Sequence, residues 1–244
     1  MRFKCLTCEA LARPVYLNAA YSKHIVDVEL IQRGLHNTPG KLRRELQQRI
    51  DAIKGYDAIL LVYGLCGNAT AGVRAGSIPL VLPRAHDCIT LFLGGRQRYT
   101  EQFEKTPGTF WFVQDYIERD DGSGSSLSFG PGSSADSQAL YQSYVEKYGQ
   151  DNADYLMEAM GAWQAHYDRA AYIDLGIGDG QAVEARAQQE ASQRGWAFER
   201  LQGDLNLVAR LLNGEWQDDF LVLQPGEVVR AIVGPDVIGA GKVD

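Results

Sequence analysis

The chain has 244 residues, 45% of them apolar, with 24 lysines and arginines against 31 aspartates and glutamates for a net charge of −7. A chain this long can bury on the order of 70–75% of its unfolded surface. Its basic residues are interleaved with acidic ones rather than gathered on one stripe, which argues against nucleic acid and membrane as partners. The longest apolar runs are strand-length, so no transmembrane helix is expected. Lys4 falls inside what would be the apolar centre of a leader, so the start does not read as a signal peptide and the expected compartment is the cytoplasm. Four cysteines in so long a chain make no disulfide framework, which leaves them as thiols, metal ligands or core residues.

Residues 2–8 alternate loosely and read as a first strand ending at Cys8-Glu9. Residues 24–32 alternate at period two, the pattern of a strand with one wetter face. Thr38-Pro39 then makes an N-cap and N1 pair, Leu42, Leu46, Ile50 and Ile53 recur at helical spacing, and Gly55 ends the helix. Residues 57–65 form a continuous apolar run, as in a parallel strand covered on both faces. A short helix over 69–75, a buried strand over 78–82, a helix over 88–103 and a strand over 108–113 follow.

Residues 120–134 are too rich in glycine and serine to pack and read as a loop. One or two amphipathic helices are expected over 137–169, carrying Met157, Met160 and Trp163, with Trp163, Tyr167 and the tyrosines of that stretch packing between lobes or forming an aromatic cleft wall. Strands at 170–175, 196–201 and 220–224 alternate with helices at 181–194 and 205–212, and the tail from Gly226 has no clear assignment. The whole predicts an α/β protein with a mainly parallel sheet flanked by helices, in two Rossmann-like lobes. The expected divisions are an N-terminal lobe over 1–116, a Gly/Ser-rich loop over 117–135, a helical connection over 136–169 and a C-terminal lobe over 170–244. VELIQ at 28–32 leading to YDAILLVYG, and FERLQ at 198–202 leading to DDFLVLQPG, read as two copies of one strand–helix–strand unit.

In open parallel sheets, functional loops lie at the carboxyl ends of strands. Cys8 ends the first strand, Cys66 follows the 57–65 run, and His86 and Cys88 follow the next strand. Cys66, His86 and Cys88 are therefore candidate ligands of one transition metal, with Cys8 as a fourth; thiolate and imidazole together suit zinc, or iron. The competing reading is that a lone cysteine at a strand end only packs, and Cys5 in particular reads as core, because strand geometry points it away from Cys8. Asp87 beside His86, Arg84 flanking the same loop, and His36 before the Thr38-Pro39 helix start are the candidate catalytic side chains. Arg84, with Arg96 and Arg98, would suit an anionic substrate, whereas Lys41, Arg43, Arg44 and Arg49 read as a solvated helix face.

A second constellation is Asp174-x-Gly176-x-Gly178-x-Gly180, between a strand and a helix. It looks like the first motif of S-adenosylmethionine-dependent methyltransferases, with Glu199 or Asp204 about where a ribose-binding acid would sit. A plain glycine-rich turn explains the same residues, and only 64 residues follow Gly180.

At YGLCGNAT and PRAHDCITLFLG, and from Cys8-Glu9 through GLHNTP to GDLNLVARLLNGEW, the sequence resembles a bacterial and archaeal family catalogued as domain of unknown function 1638. The resemblance implies that its recurring Cys, Cys and His-Asp-Cys positions correspond to Cys8, Cys66 and His86 to Cys88, and brings no settled activity with it. Residues 120–134 look like an insertion relative to the family, and the family's stretch near Asp174 is closer to a plain Gly-x-Gly-Asp turn. The His-x-Cys pair with a remote cysteine also resembles the zinc site of cobalamin-dependent thiol methyltransferases. The leading expectation is thus a metal enzyme acting on a small-molecule substrate, activating a thiol, water or a methyl group carried on a corrinoid by a corrinoid protein. The alternatives are an S-adenosylmethionine-dependent methyltransferase and a non-catalytic metal or cofactor carrier.

Overall fold

The computed structural model describes residues 1–119 and 167–242, together with positions 145 and 150. In chain order the elements are β1 (Arg2–Cys8), α1 (Ala12–Tyr21), β2 (Ile25–Ile31), α2 (Pro39–Ala52), β3 (Ala58–Val62), β4 (Leu80–Pro83), α3 (Cys88–Phe92), α4 (Arg96–Lys105) and β5 (Thr109–Phe112). There follow α5 (Gln114–Glu118), β6 (Arg169–Asp174), α6 (Gln181–Arg194), β7 (Ala197–Gln202), α7 (Asn206–Leu212), β8 (Phe220–Leu223), β9 (Glu227–Ala231) and β10 (Ile238–Lys242). The 120–134 loop and the helix carrying Met157, Met160 and Trp163 fall outside the described residues.

Contacts divide the chain into two compact units, one of residues 1–101, 174–178 and 202–244, the other of 102–173 and 179–201. The first is built on a five-stranded sheet of order β2-β1-β3-β4-β8, in which β1 pairs parallel with β2 and β3, β3 parallel with β4, and β8 antiparallel to β4. It is a mixed α/β unit with a mostly parallel sheet. From β1 the chain turns outward to β2, then crosses back to β3 on the other side of β1. The carboxyl ends of β1 and β3 therefore flank the point where strand order reverses, where ligands enter open α/β sheets.

The sequence explains these elements. Every residue of β3 is buried, as both faces of a central parallel strand must be. In α2 the expected stripe Leu42, Leu46 and Ile50 is buried, each side chain stabilising by roughly 1.5–3 kcal/mol. Pro39 opens that helix, though the Thr38 hydroxyl makes no capping bond.

Three local expectations give way to tertiary contacts. Residues 69–75 form turns rather than a helix, because their backbone is engaged by β9: Gly72 N donates to Val229 O at 2.8 Å, Ala75 N to Glu227 O at 3.0 Å, and Val73 O accepts from Val229 N at 2.8 Å. The tail without assignment is thus a hairpin, β9 antiparallel to β10. The helix over 88–103 is broken into α3 and α4 at Gly94, whose left-handed φ of +84° lets it pass the Asp204 side chain, 2.6 Å from where a Cβ would stand. The second strand–helix–strand copy is no such unit, since β7 belongs to a three-stranded sheet and β8 to the five-stranded one.

The second unit carries the three-stranded sheet, order β5-β6-β7 with β5 and β6 parallel. Its core is Phe112, Ala170, Tyr172, Val183, Ala187 and Ala191. Arg169 is buried with its guanidinium satisfied by Thr109 Oγ1 at 2.9 Å, Gln102 Oε1 at 2.9 Å and Glu199 Oε2 at 2.6 Å. Tyr167 packs on Phe110 and Trp196. Among the described residues no helix is long and apolar enough to cross a membrane.

Candidate site at the carboxyl edge of the five-stranded sheet

The loops after β3 and β4 are held together by their backbones. Leu65 N donates to Ala85 O and Cys66 N to His86 O, both at 2.8 Å, so the parallel pairing of β3 and β4 continues irregularly beyond the strands. Gly64 allows this approach: a Cβ there would stand 2.6 Å from Asp87 N and 2.9 Å from the His86 carbonyl carbon. Cys66, Gly67 and Asn68 then all have positive φ, of 48°, 61° and 67°. Ala69 N closes the turn onto Cys66 O at 3.1 Å, the I′ pattern that Gly-Asn suits. A cysteine held left-handed is uncommon and persists where its surroundings over-determine it. Arg43 of α2 supplies part of that restraint, donating to Asn68 O at 2.6 Å, and so does more than solvate a helix face.

All four cysteines are free thiols. Cys5 lies within the core, where burial pushes its thiol up to about 12. Cys8, Cys66 and Cys88 are brought into electrostatic reach of one another. Burial pushes the Cys8 thiol up to about 11, with a backbone hydrogen bond at Ala10 drawing it down, Glu9 raising it, and the Arg33 charge and a hydrogen bond with Tyr63 drawing it down. Burial, Asp87 and Cys8 raise the Cys66 thiol; burial, Asp87, Cys66 and Cys8 raise that of Cys88. As placed, no three His, Cys, Asp or Glu side chains among the described residues are arranged to hold a metal ion.

The other expected residues take distinct places. His86 is exposed, its ring stacked on Tyr99 at 5.4 Å between centroids and 26° between planes. Asp87 caps α3: Oδ1 accepts from Ile89 N at 3.0 Å and Thr90 N at 3.3 Å, while Oδ2 accepts from the Tyr99 hydroxyl at 3.5 Å. Burial raises its carboxyl, against the lowering effect of those amides and of His86. The Arg84 guanidinium donates to Ile238 O in β10. Arg96 pairs with Asp236 at 2.9 Å, and Arg98 donates to Leu93 O at 3.5 Å and to Gln202 O. The His36 imidazole is held below its ordinary range by burial and by the Arg33 charge.

Two residues at this edge were not singled out from the sequence. Arg33, 1% exposed, follows β2 with its backbone N–H on Glu9 Oε2 at 3.0 Å; the strand-end rule that picks out Cys8 picks it out too. Tyr63, 3% exposed, follows the β3 run, and its hydroxyl lies within hydrogen-bonding reach of the Cys8 thiol. Burial, Cys8 and Cys66 raise its phenol well above the usual range.

The glycine turn has the expected setting, between β6 and α6. Gly176 and Gly178 have φ of +67° and +77°, and Asp174 Oδ1 accepts from Gly176 N at 2.9 Å. Gly180 has an ordinary negative φ, and a Cβ there would collide with the Tyr172 hydroxyl. Glu199 pairs with Arg169 and Lys105, and Asp204 Oδ1 accepts from Asn206 N at 2.7 Å.

Comparison with known proteins adds the family. No curated protein and no solved structure matches the chain. Residues 30–212, three quarters of the sequence and inclusive of Cys66, His86 and Cys88, match the model of a family described as protein of unknown function (DUF1638). The chain belongs to the DUF1638 family.

Proposed function

We propose that the carboxyl edge of the five-stranded sheet binds one soft or borderline transition metal, zinc or iron, through the thiolates of Cys8, Cys66 and Cys88, with His86 at the exposed rim. The observation that carries this reading is the convergence of three thiols on adjacent ends of β1, β3 and β4, at the point where strand order reverses. The described side chains are not arranged to hold an ion as placed, so uptake requires them to move. A divalent ion lowers thiol pKa values strongly enough to offset both burial and mutual repulsion.

Three protein thiolates leave a fourth tetrahedral position, the arrangement of catalytic rather than structural zinc. The chemistry that follows is activation of a small-molecule thiol, of water, or of a corrinoid-linked methyl group on a partner corrinoid protein, in the reducing cytoplasm. A carrier role fits a closed four-ligand site instead. An S-adenosylmethionine site at the glycine turn, in a second Rossmann-like lobe, is the weaker reading, since Tyr172 already accounts for Gly180. Elemental analysis of the full chain tests the proposal: about one equivalent of zinc or iron is expected, lost in Cys66→Ala and Cys88→Ala. Folded protein, purified without chelator, that holds no metal and takes none up would overturn it.

A further inference from the structure

Helix α1 turns an uncharged face to solvent. On the helical wheel its buried side chains, Ala12, Pro14 and Val15, fall on one arc, and Tyr16, Leu17, Ala20 and Tyr21 fall on the opposite one, all four exposed. A surface helix ordinarily carries charged and polar residues there, yet α1 has no charged residue between Pro14 and Tyr21. Tyr21 is 81% exposed, Tyr16 50% and Leu17 37%. At roughly 200 Å² per large side chain, these three leave on the order of 300 Å² of largely apolar surface open, the size at which a patch marks an interaction site. The opening continues onto the sheet. β2 is an edge strand whose Val26, Val28 and Leu30 are only half-buried, while their register partners in β1, Phe3, Cys5 and Thr7, are fully buried.

We propose that this face docks on the same face of a second copy of the chain, in a two-fold dimer with the two α1 helices antiparallel. With the axis passing between Asn18 and Ala19, Tyr16 meets the second copy's Tyr21 and Leu17 meets its Ala20, a large side chain against a small one, so the helices approach closely. Charge favours a like partner over an acidic or basic one. The only charge on the arc is Arg13, in the first turn, whereas the last turn of α1 holds no basic residue. Antiparallel packing brings Arg13 of each copy to the carboxyl end of the other's α1, where a cation is favoured. Just beyond the helix Lys23 and Glu215 pair with each other at 4.0 Å, so this rim is neutral in a chain of net charge −7 and two copies meet there without like-charge repulsion. A standard interface takes about 800 Å² from each partner, and an apolar centre of about 300 Å² inside a polar rim has that make-up.

Sedimentation equilibrium of the full chain tests the dimer. Wild type is expected to associate with a micromolar or tighter dissociation constant. Leu17→Glu and Tyr21→Glu are each expected to weaken association by more than about 30-fold, as loss of a central anchor does, and Arg13→Glu by about tenfold. Val233→Glu, at a fully exposed position after β9, is expected to leave it unchanged. Because Leu17 and Tyr21 are exposed, their variants should keep the wild-type circular dichroism spectrum, and monomers with that spectrum support the dimer. Ala20→Arg, on the same face and read the same way, carries the test if either of them unfolds. A wild type that stays monomeric at a concentration on the order of 100 μM, or a dimer that survives Leu17→Glu and Tyr21→Glu, overturns the proposal.

Discussion

The thiol-bearing edge of the five-stranded sheet and the glycine turn after β6 both resemble sites in the sequence, but the fold accounts for them differently. In the turn, Asp174 bonds the backbone of Gly176, Asp179 Oδ1 accepts from Gln181 N at 3.2 Å, and Gly180 makes room for the Tyr172 hydroxyl. At the sheet edge local explanation leaves a remainder: a cysteine in left-handed backbone, and three buried thiols at neighbouring strand ends, with Cys8 raising Cys66 and both raising Cys88. Residue pattern alone does not separate these cases. What separates them is whether the immediate surroundings already use each unusual residue.

The sharpest way to break that contrast is to remove a thiol. Cys66→Ala and Cys88→Ala should each weaken metal binding by more than about 100-fold, beyond the 10–100-fold typical of losing an outer partner. Cys5→Ala should leave metal affinity unchanged, which competition with a chromophoric chelator measures. Gly64→Ala comes next. Its Cβ would meet the backbone of Asp87 and His86, and overpacking of this kind costs roughly 1–3 kcal/mol in denaturant unfolding.

Gly180→Ala should destabilise through its clash with Tyr172, and Tyr172→Phe in the same chain should recover most of the loss. Failure of that rescue would reopen the turn as a cofactor site. Asp87→Ala should cost about 1 kcal/mol as a lost helix cap, with Asp87→Ser recovering much of it. A carboxylate needed for chemistry would show no such recovery in activity.

The smallest effect expected is a pH dependence at Glu199. Burial alone would raise its carboxyl, but hydrogen bonds from Arg169 and Lys105 outweigh it and hold the folded-state pKa below the ordinary value. The pair's contribution to stability is then complete above the unfolded carboxylate range, about 4.3, and is lost as pH falls through the lower folded value. Glu199→Gln should flatten that part of an acid-unfolding curve.

Much of this was legible without coordinates. The AILLV run announces a strand covered on both faces, Leu42, Leu46 and Ile50 announce the buried face of α2, and the rule that function gathers at strand ends singles out Cys8, Cys66, His86 and Cys88. Arg33 lay within reach of the same rule. Tyr63 did not, because its place against the Cys8 thiol is known only once β1 and β3 are seen to pair.

The sequence by itself determined the local periodicities, the family, and the placing of three thiols just beyond buried strands. Those are properties of residues close in the chain, where backbone preference and burial pattern act directly. Only the tertiary structure decided that β1, β3 and β4 lie side by side, that β8 closes the sheet antiparallel, and that β9 engages the backbone of 69–75. It also turned Asp87 into a helix cap and set the Tyr63 hydroxyl against the Cys8 thiol. Pairing between distant segments is settled by which long-range contacts best satisfy buried backbone and side chains together, and no window of sequence contains both partners.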